Sequence, residues 1–308
     1  MNVIFMGTPE FGVPILNSIL SSRHKVIAVV CQPDRAGNRG VVTKPPVKQC
    51  AEMNGIKVLQ YDRISREGVD TLRELKPDIM VTAAFGQILS DEVLKLAPHG
   101  VINVHASLLP LYRGSAPIHY AIIHGEKETG ITIMQTAKAV DSGDIILQKK
   151  LNILDEETTG ELTLRLGVLG AEMIVEALDI IEAGKAIRVP QDHSKSTHYP
   201  MLKKENGRIN YNKTPLELTN FVRGMNPWPS AYTTIDNGIV KIIKASMVGC
   251  TYSGMVGEIV ESNARRGLII VVKGGCLRLD VIQPEGKKVM SDKDYLLGHP
   301  ILKGTILC

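Results

Sequence analysis

Short aliphatic runs alternate with helix-periodic segments up to about residue 185 of the chain. Strands are predicted at Val3–Met6, Val26–Cys31, Lys57–Leu59, Ile79–Thr82, Val101–Val104 and Ile131–Met134. Helices are predicted at Val13–Leu20, Val47–Met53, Arg66–Leu75, Glu92–Leu96 and Ile118–Ile123, and a long one runs from Thr159 to about Gly184. This alternation predicts an α/β fold with a mostly parallel, Rossmann-like sheet that is covered by helices on both faces.

The pattern changes after Lys185. Residues 187–206 are polar and contain prolines, which predicts a linker between a domain at 1–186 and a second at 207–308. A helix is then predicted at Pro215–Arg223, followed by strands at Val240–Lys244, Gly254–Val260, Leu268–Val272 and Leu277–Val281. Short strands separated by glycine-rich turns are typical of a small antiparallel β-barrel.

Polar side chains gather where the strand at Val101–Val104 ends. Residues i and i+2 of a strand face the same way, so Asn103 and His105 are expected to project side by side. Open parallel sheets bind their ligands at the carboxyl ends of the strands. Asp141, on a loop after the next strand, is placed to orient or charge the imidazole. An amide, an imidazole and a carboxylate suit acyl transfer between two bound substrates, whereas each alone is more often structural.

Several other chemistries are excluded by the motifs. The first strand-to-helix turn is Gly7-Thr8-Pro9-Glu10-Phe11-Gly12, which lacks the glycine spacing of a dinucleotide site and contains a proline without an amide hydrogen. We therefore expect no nicotinamide or flavin. The chain has neither a P-loop motif nor a G-x-S-x-G nucleophile elbow.

Charge is unevenly distributed along the chain. The formal net charge is +4, and residues 207–308 contain 13 Lys/Arg and 8 Asp/Glu, so the positive excess belongs to the predicted barrel. This excess fits a grip on a phosphate backbone, but an ordinary solvated surface would give the same count. The long loop from Gln32 to Pro46, which is rich in glycine, proline and charge, favours an anionic partner and an ordinary surface excursion equally.

Cysteines and hydropathy indicate the compartment. The five cysteines are scattered and form no CxxC pair, so we expect reduced thiols and no metal site. The segment that begins at Met1 lacks the basic start of a signal peptide, and no apolar run approaches the ~20 residues of a membrane span. We therefore expect a cytoplasmic protein.

Three motifs identify a family. They are Asn103-x-His105-x-Ser107-Leu108-Leu109-Pro110, Arg113-Gly114-x-Ala116-Pro117 and Asp141-Ser142-Gly143-Asp144. Together they resemble the 10-formyltetrahydrofolate-dependent formyltransferases. The stretches that resemble the branch acting on methionyl-tRNA are Phe5–Phe11, Gln32–Arg35 with Gly40, Ala83–Leu89, Arg223–Ala231 and Gln283–Met290.

The resemblance implies roles for residues and domains. It implies a catalytic trio of Asn103, His105 and Asp141 in a formyltransferase domain, followed by an OB-like barrel that helps to hold initiator methionyl-tRNA. The residues implied for the folate site are Ser107, Leu108, Leu109, Pro110, Phe85, Gly86, Gln87, Ile88 and Leu89. Arg35, Arg39 and Lys44 of the long loop are implied to contact tRNA. The resemblance also implies 10-formyltetrahydrofolate as the formyl donor, and we expect a monomer without metal.

Two departures and two rival functions accompany the resemblance. The family's acidic and glycine-containing approach to the catalytic aspartate is replaced here by Ala137-Lys138-Ala139, and the usual tyrosine before Gly86 is Phe85. One rival is a formyltransferase that acts on a small amine and needs neither the barrel nor the long loop. The other is a catalytically silent folate- or RNA-binding protein.

Overall fold

A computed structural model of the chain describes residues 1–36, 42–235, 238–249 and 252–307. These residues divide into two units. Unit 1 comprises residues 1–117, 128–152 and 163–200, and unit 2 comprises residues 118–127, 153–162 and 201–308. No described helix is long and apolar enough to cross a membrane.

Strands and helices alternate from the first residues to the end of the long helix. The strands are β1 (Asn2–Gly7), β2 (Lys25–Cys31), β3 (Arg35–Ala36), β4 (Val42–Thr43), β5 (Val58–Gln60), β6 (Ile79–Ala83), β7 (Val101–His105), β8 (Arg113–Gly114), β9 (Glu128–Gln135), β10 (Ile145–Asn152) and β11 (His198–Tyr199). The helices are α1 (Gly12–Leu20), α2 (Pro46–Met53), α3 (Ile64–Glu67), α4 (Val69–Glu74), α5 (Asp91–Leu94), α6 (Pro117–Ile123) and α7 (Thr159–Glu182). The predicted alternation is therefore confirmed.

The central sheet of unit 1 has seven strands in the order β10-β9-β7-β6-β1-β2-β5. Strands β5, β2, β1, β6 and β7 run parallel to one another, β9 is antiparallel to β7, and β10 is antiparallel to β9. The predicted mostly parallel sheet is confirmed. Strand β10 was not predicted, because Gln148-Lys149-Lys150 interrupts the apolar pattern. An edge strand with one side in solvent tolerates such polar residues.

The core of unit 1 is built on strand β1. Val3, Ile4, Phe5 and Met6 have no exposed surface, because β2 and β6 flank the strand in the sheet. Burial of one such side chain stabilises the fold by roughly 1.5–3 kcal/mol. This continuous apolar run is what a parallel strand buried on both faces requires.

Unit 2 contains an antiparallel sheet. Its elements are α8 (Pro215–Gly224), β12 (Ala231–Ile235), β13 (Gly238–Val248), β14 (Ile259–Asn263), β15 (Gly267–Val272), β16 (Gly275–Pro284), β17 (Met290–Ser291) and α9 (Asp292–Gly298). The strands follow the order β12-β13-β16-β15-β14, with β17 beside β16. The predicted antiparallel second part of the fold is confirmed. The strand predicted at Gly254–Val260 is wrong in its bounds, because β14 begins only at Ile259, two residues after Gly257 at φ 89°.

The cysteines give a mixed outcome. Cys31 and Cys50 are buried and free, and burial raises the pKa of the Cys31 thiol to about 11, so it stays protonated at neutral pH. Cys276 is disulfide-bonded. The expectation of reduced thiols is confirmed for the first two residues and wrong for Cys276.

Candidate active site

Asn103 and His105 lie at the carboxyl end of β7. Parallel strand β6 places Thr82 opposite Asn103, and antiparallel strand β9 places Thr132 opposite His105. The buried strands on both sides fix the backbone of β7. The predicted placement of the two polar side chains at a sheet edge therefore agrees with the structure.

The amide of Asn103 is oriented by Thr82. The Thr82 hydroxyl donates to Asn103 Oδ1 at 2.8 Å. This contact leaves Asn103 Nδ2 to donate to Asp141 Oδ1 at 3.4 Å. An amide nitrogen carries two hydrogens, so Asn103 can donate to the carboxylate and to a bound oxygen at once.

The His105 ring is buried, with 6% of its side chain exposed. Its Nε2 lies 2.9 Å from the carbonyl oxygen of Tyr112. A carbonyl oxygen only accepts, so Nε2 carries a hydrogen. The other ring nitrogen, Nδ1, lies 3.6 Å from Asp141 Oδ1. The backbone therefore sets the ring orientation and directs Nδ1 toward the carboxylate.

Asp141 adopts a backbone conformation that non-glycine residues rarely use, with φ at 49°. Such a conformation costs on the order of 1–3 kcal/mol and persists where the surroundings impose it. The amide of Gly114 donates to Asp141 Oδ2 at 2.8 Å. Asp141 Oδ1 is left facing Asn103 and His105. Asn103, His105 and Asp141 thus meet at one carboxylate oxygen.

The turn Ser107-Leu108-Leu109-Pro110 comes shortly after β7 and is hydrogen-bonded to residues of β9 and β10. Thr132 Oγ1 donates to Ser107 O at 2.6 Å and accepts from Leu109 N at 3.2 Å. The side chain of Gln148 donates to Leu109 O at 2.9 Å. Ser107 and Leu109 are buried, and the turn lies next to the trio. The proposed folate role of these four residues remains a prediction.

The second predicted folate segment, Phe85–Leu89, follows β6 at the same sheet edge. Phe85 and Leu89 pack in the core, whereas the Ile88 side chain is 80% exposed. Gln87 accepts from Ile64 N at 2.8 Å and donates to Tyr61 O at 2.7 Å. Gly86 has φ at 79°. The segment is thus anchored by its ends and by Gln87 and exposes Ile88 between them.

The long loop is described only in part. Strands β3 and β4 pair as an antiparallel hairpin. Arg35 is exposed and donates to Gln32 Oε1 at 3.2 Å, and Lys44 pairs with Glu52 at 2.7 Å. Arg39 lies outside the described residues. The predicted tRNA contacts at Arg35, Arg39 and Lys44 remain predictions.

Sequence reasoning missed two residues that shape the site. Thr82 orients the Asn103 amide, and its position one strand away from Asn103 at the same sheet edge was a usable signal. Gln191 donates to the backbone carbonyls of Asp141 and Gly143 at 3.0 and 2.7 Å. Gln191 lies in the segment predicted to be a linker, and the periodicity carries no signal for its role.

Comparisons with known proteins show the family to which the chain belongs. The formyl transferase family model matches residues 1–178, and the model of the formyl transferase C-terminal domain matches residues 201–300. The methionyl-tRNA formyltransferase of Moorella thermoacetica is 44% identical over 309 residues, which cover 100% of this chain and 99% of the relative. That of Geotalea uraniireducens is 43% identical and covers 100% and 98%.

A solved structure of similar fold is a sugar 3N-formyl transferase in the presence of dTDP and 5-N-formyl-THF. Its TM-score is 0.69 at 22% sequence identity, and the match covers 94% of this chain and 99% of that one. This match shows that the two chains share a fold.

Proposed function

Since the chain belongs to the methionyl-tRNA formyltransferase family, we propose that it moves the formyl group of 10-formyltetrahydrofolate to the α-amine of methionyl initiator tRNA. We further propose that Asn103, His105 and Asp141 are its catalytic residues. The observation that carries the proposal is the meeting of Asn103 Nδ2 and His105 Nδ1 at Asp141 Oδ1, at 3.4 and 3.6 Å.

The reaction is an acyl transfer to an external amine. The neutral amine attacks the formyl carbon, and a tetrahedral intermediate forms with negative charge on the formyl oxygen. The bond from carbon to folate N10 then breaks, N10 gains a proton and the attacking nitrogen loses one. In these reaction steps, no residue of the chain forms a covalent bond with a substrate.

Asn103 and His105 stabilise the negative charge that develops on the formyl oxygen. Donors that are fixed before the reaction act strongly, because they need no reorganisation as the charge appears. Thr82 fixes the amide, and the Tyr112 carbonyl fixes the imidazole. His105 is also proposed to supply the proton that N10 requires when it leaves.

Asp141 acts on both partners. Its carboxylate faces Nδ1 of His105 at 3.6 Å and orients the ring. It is also proposed to relay, through a water molecule, the proton that the amine releases. The Gly114 amide keeps the other carboxylate oxygen turned away.

The folate is proposed to occupy the edge formed by Ser107–Pro110 and Phe85–Leu89. Both segments follow adjacent parallel strands, β7 and β6, at the carboxyl edge of the sheet. Exposed Ile88 offers apolar surface to a pteridine ring, and backbone groups of the two turns offer hydrogen bonds. A concave apolar edge with a few polar groups is the usual form of such sites.

The tRNA is proposed to contact the loop that carries Arg35, Arg39 and Lys44 and the basic second part of the chain. We expect Arg39→Ala to raise the KM for charged tRNA about tenfold or more while the KM for the folate stays within about twofold, because a lost phosphate contact weakens only the nucleic acid. Steady-state kinetics with each substrate varied in turn measures both values. An equal rise in the two KM values would contradict the loop's proposed role.

The experiment that tests the function offers the purified chain 10-formyltetrahydrofolate with initiator or elongator methionyl-tRNA. We expect formyl-methionine on the initiator tRNA alone, and none when the Asn103→Ala variant replaces the wild type. Formylation of a small amine such as an amino-sugar nucleotide, without formylation of methionyl-tRNA, would overturn the proposal.

The protein is also proposed to act as a cytoplasmic monomer. Its substrates are a charged tRNA and a folate, which meet where translation starts. Analytical ultracentrifugation is expected to give a species near the chain mass of 33.6 kDa. A species of twice that mass at micromolar concentration would contradict the monomer.

A further inference from the structure

We propose that Gln191 is a positioning residue that holds Asp141 in its catalytic conformation through the backbone. The inference rests on the proposed catalytic role of Asp141. It assigns a function in the reaction to the polar segment that follows residue 186, for which the sequence predicts only a linker.

Gln191 connects two segments that frame the trio. Its side-chain amide donates to Asp141 O at 3.0 Å and to Gly143 O at 2.7 Å. Its Oε1 accepts from Arg113 Nε at 3.2 Å and from Arg113 Nη2 at 2.6 Å. Gln191 is 6% exposed and Arg113 is 8% exposed, so water competes little for these bonds. Each polar atom of the Gln191 side chain is therefore used in this link.

The orientation of the amide is determined by its partners. A guanidinium only donates, so Oε1 must face Arg113, and the two carbonyl oxygens only accept, so Nε2 must face Asp141 and Gly143. A flipped amide would place donor against donor and acceptor against acceptor. The link thus has one satisfied arrangement.

The backbone delivers Gln191 to this position. Val189 and Ile145 form an antiparallel bridge, with hydrogen bonds of 2.8 and 2.9 Å between their backbones. In antiparallel pairing, the residue two positions after Val189 lies beside the residue two positions before Ile145. This register brings Gln191 to Gly143. Farther along, β11 pairs with β8, which carries Arg113 and Gly114.

Gln191 constrains the geometry of the Asp141 carboxylate. Asp141 has φ at 49°, and the amide of Gln191 bonds both its carbonyl and that of Gly143. Arg113, held by Gln191, immediately precedes Gly114, whose amide fixes Asp141 Oδ2. Gln191 therefore acts on Asp141 from both sides, although it contacts neither Asn103 nor His105 among the described hydrogen bonds and ion pairs.

The first test is Gln191→Met, which keeps the size of the side chain and removes its amide. We expect kcat to fall about 10- to 100-fold, because a displacement of about 1 Å at a reacting group can cost about 10²-fold. The KM values for the folate and for tRNA should stay within about twofold, since the substrate-binding segments are unchanged. A kcat within twofold of wild type would overturn the proposal.

Gln191→Glu separates positioning from simple support of Arg113. Glutamate retains an oxygen for the guanidinium but replaces the donor that faces the Asp141 and Gly143 carbonyls. We expect kcat to fall at least as far as in Gln191→Met while the melting temperature stays closer to wild type. Near-normal kcat in this variant would show that Gln191 matters only as a partner of Arg113, and it too would overturn the proposal.

The chain offers a matched control in unit 2. There Asn220 Oδ1 accepts from Arg223 Nε and Nη2 at 3.1 and 2.9 Å, and Arg223 also donates to the carbonyls of Leu154 and Glu157. Asn220→Leu removes the acceptor of a buried guanidinium in the same way as Gln191→Met. We expect a lower melting temperature and a kcat within twofold of wild type.

A double-mutant cycle tests whether Gln191 works through Asp141. If it does, adding Gln191→Met to Asp141→Ala should change kcat by less than twofold, because the positioned group is already absent. Fully additive losses would overturn the positioning role. Wild-type kcat in Asp141→Ala alone would instead refute the catalytic assignment of Asp141, so the two failures are distinguishable.

Discussion

Unit 1 contains two histidine–aspartate pairs, at opposite ends of the same sheet. His24 precedes β2, at the amino end of the parallel strands, and its Nε2 lies 3.2 Å from Asp179 Oδ1. His105 ends β7, at the carboxyl end, and its Nδ1 lies 3.6 Å from Asp141 Oδ1. Both imidazoles are buried, and distance alone would favour the first pair as the reactive one.

The difference lies in the neighbours of each carboxylate. Asp179 is bound by Arg23 at 2.7 Å, and the N-terminal ammonium of Met1 lies 3.3 Å from His24 Nδ1 and 3.0 Å from Glu182. The charges of the cations and carboxylates already balance there. The ligand atoms of His24, Asp179 and Glu182 lie within 4.8 Å of one another, but this proximity alone does not indicate a metal site. Apart from His105, the described hydrogen-bond donors to the Asp141 carboxylate are the neutral groups of Asn103 and Gly114.

A short histidine–aspartate contact is therefore not by itself a sign of catalysis. Burial and the nearby ammonium lower the pKa of His24, so this ring is neutral near pH 7. The carboxylate of Asp179 is already paired with a cation. Among the described contacts of Asp141, the His105 imidazole is the group that can carry positive charge.

The largest expected effect comes from replacing a member of the trio by alanine. Asn103→Ala and His105→Ala should each lower kcat by about 10²–10³-fold, the usual effect of losing one fixed donor to a developing oxyanion. Asp141→Ala should also lower kcat, because the carboxylate that faces Asn103 and His105 is lost. Single-turnover assays with saturating folate and methionyl-tRNA measure the chemical step, and circular dichroism checks the fold.

His24→Gln and Asp179→Asn serve as matched controls for these variants. Each disrupts the other histidine–aspartate pair by the same kind of change, and each should leave kcat within twofold of wild type. Near-normal turnover in the trio variants, or a hundredfold loss in the controls, would reverse the assignment of the two pairs.

A smaller effect is expected from Gly114→Ala, which sharpens the role assigned to the neutral donors of Asp141. A Cβ at Gly114 would lie 2.2 Å from the Tyr199 carbonyl oxygen, and the residue has φ at 102°. The backbone must move, and with it the amide that binds Asp141 Oδ2. We expect kcat to fall about tenfold and the unfolding free energy to drop by about 1–3 kcal/mol.

Gly184→Ala is the control for backbone strain alone. Gly184 also has a positive φ, at 66°, but no atom lies within 4 Å of a Cβ built there. Its variant should lose stability by about 1 kcal/mol in chemical denaturation and keep its kcat. If both glycine variants lost the same stability and neither lost turnover, the Gly114 amide would have no part in positioning Asp141.

Local patterns in the sequence were sufficient for some features of the site and insufficient for others. The two-residue period of a strand predicted that Asn103 and His105 share a face, and the aliphatic run Val3–Met6 predicted a strand that the structure shows as β1. Both depend on residues that are neighbours along the chain. Strand β10 escaped prediction, because an edge strand need not show the apolar pattern of a buried one.

Contacts between distant segments explain what the sequence left out. The bond from Gln191 to Gly143 joins residues 48 positions apart, and that from Gly114 to Asp141 joins residues 27 apart. Neither has a periodicity or a short motif. His24 belongs to none of the sequence motifs, and only the structure reveals the charges of Arg23 and Asp179 around it.

The smallest expected effect is a pH dependence of stability at the His24 pair. The pKa of His24 is lowered in the folded protein, chiefly by burial and then by the N-terminal ammonium, so the unfolded chain binds a proton more readily. The contribution of His24 is therefore intact above the unfolded pKa of about 6.5 and is lost as pH falls through the range below it. We expect the difference in unfolding free energy between wild type and His24→Gln to be greatest near pH 7.5 and to shrink toward pH 5. Urea denaturation of both proteins across this range measures it, and a difference that grows on acidification would mean that the carboxylates of Asp179 and Glu182 dominate His24 and hold it charged.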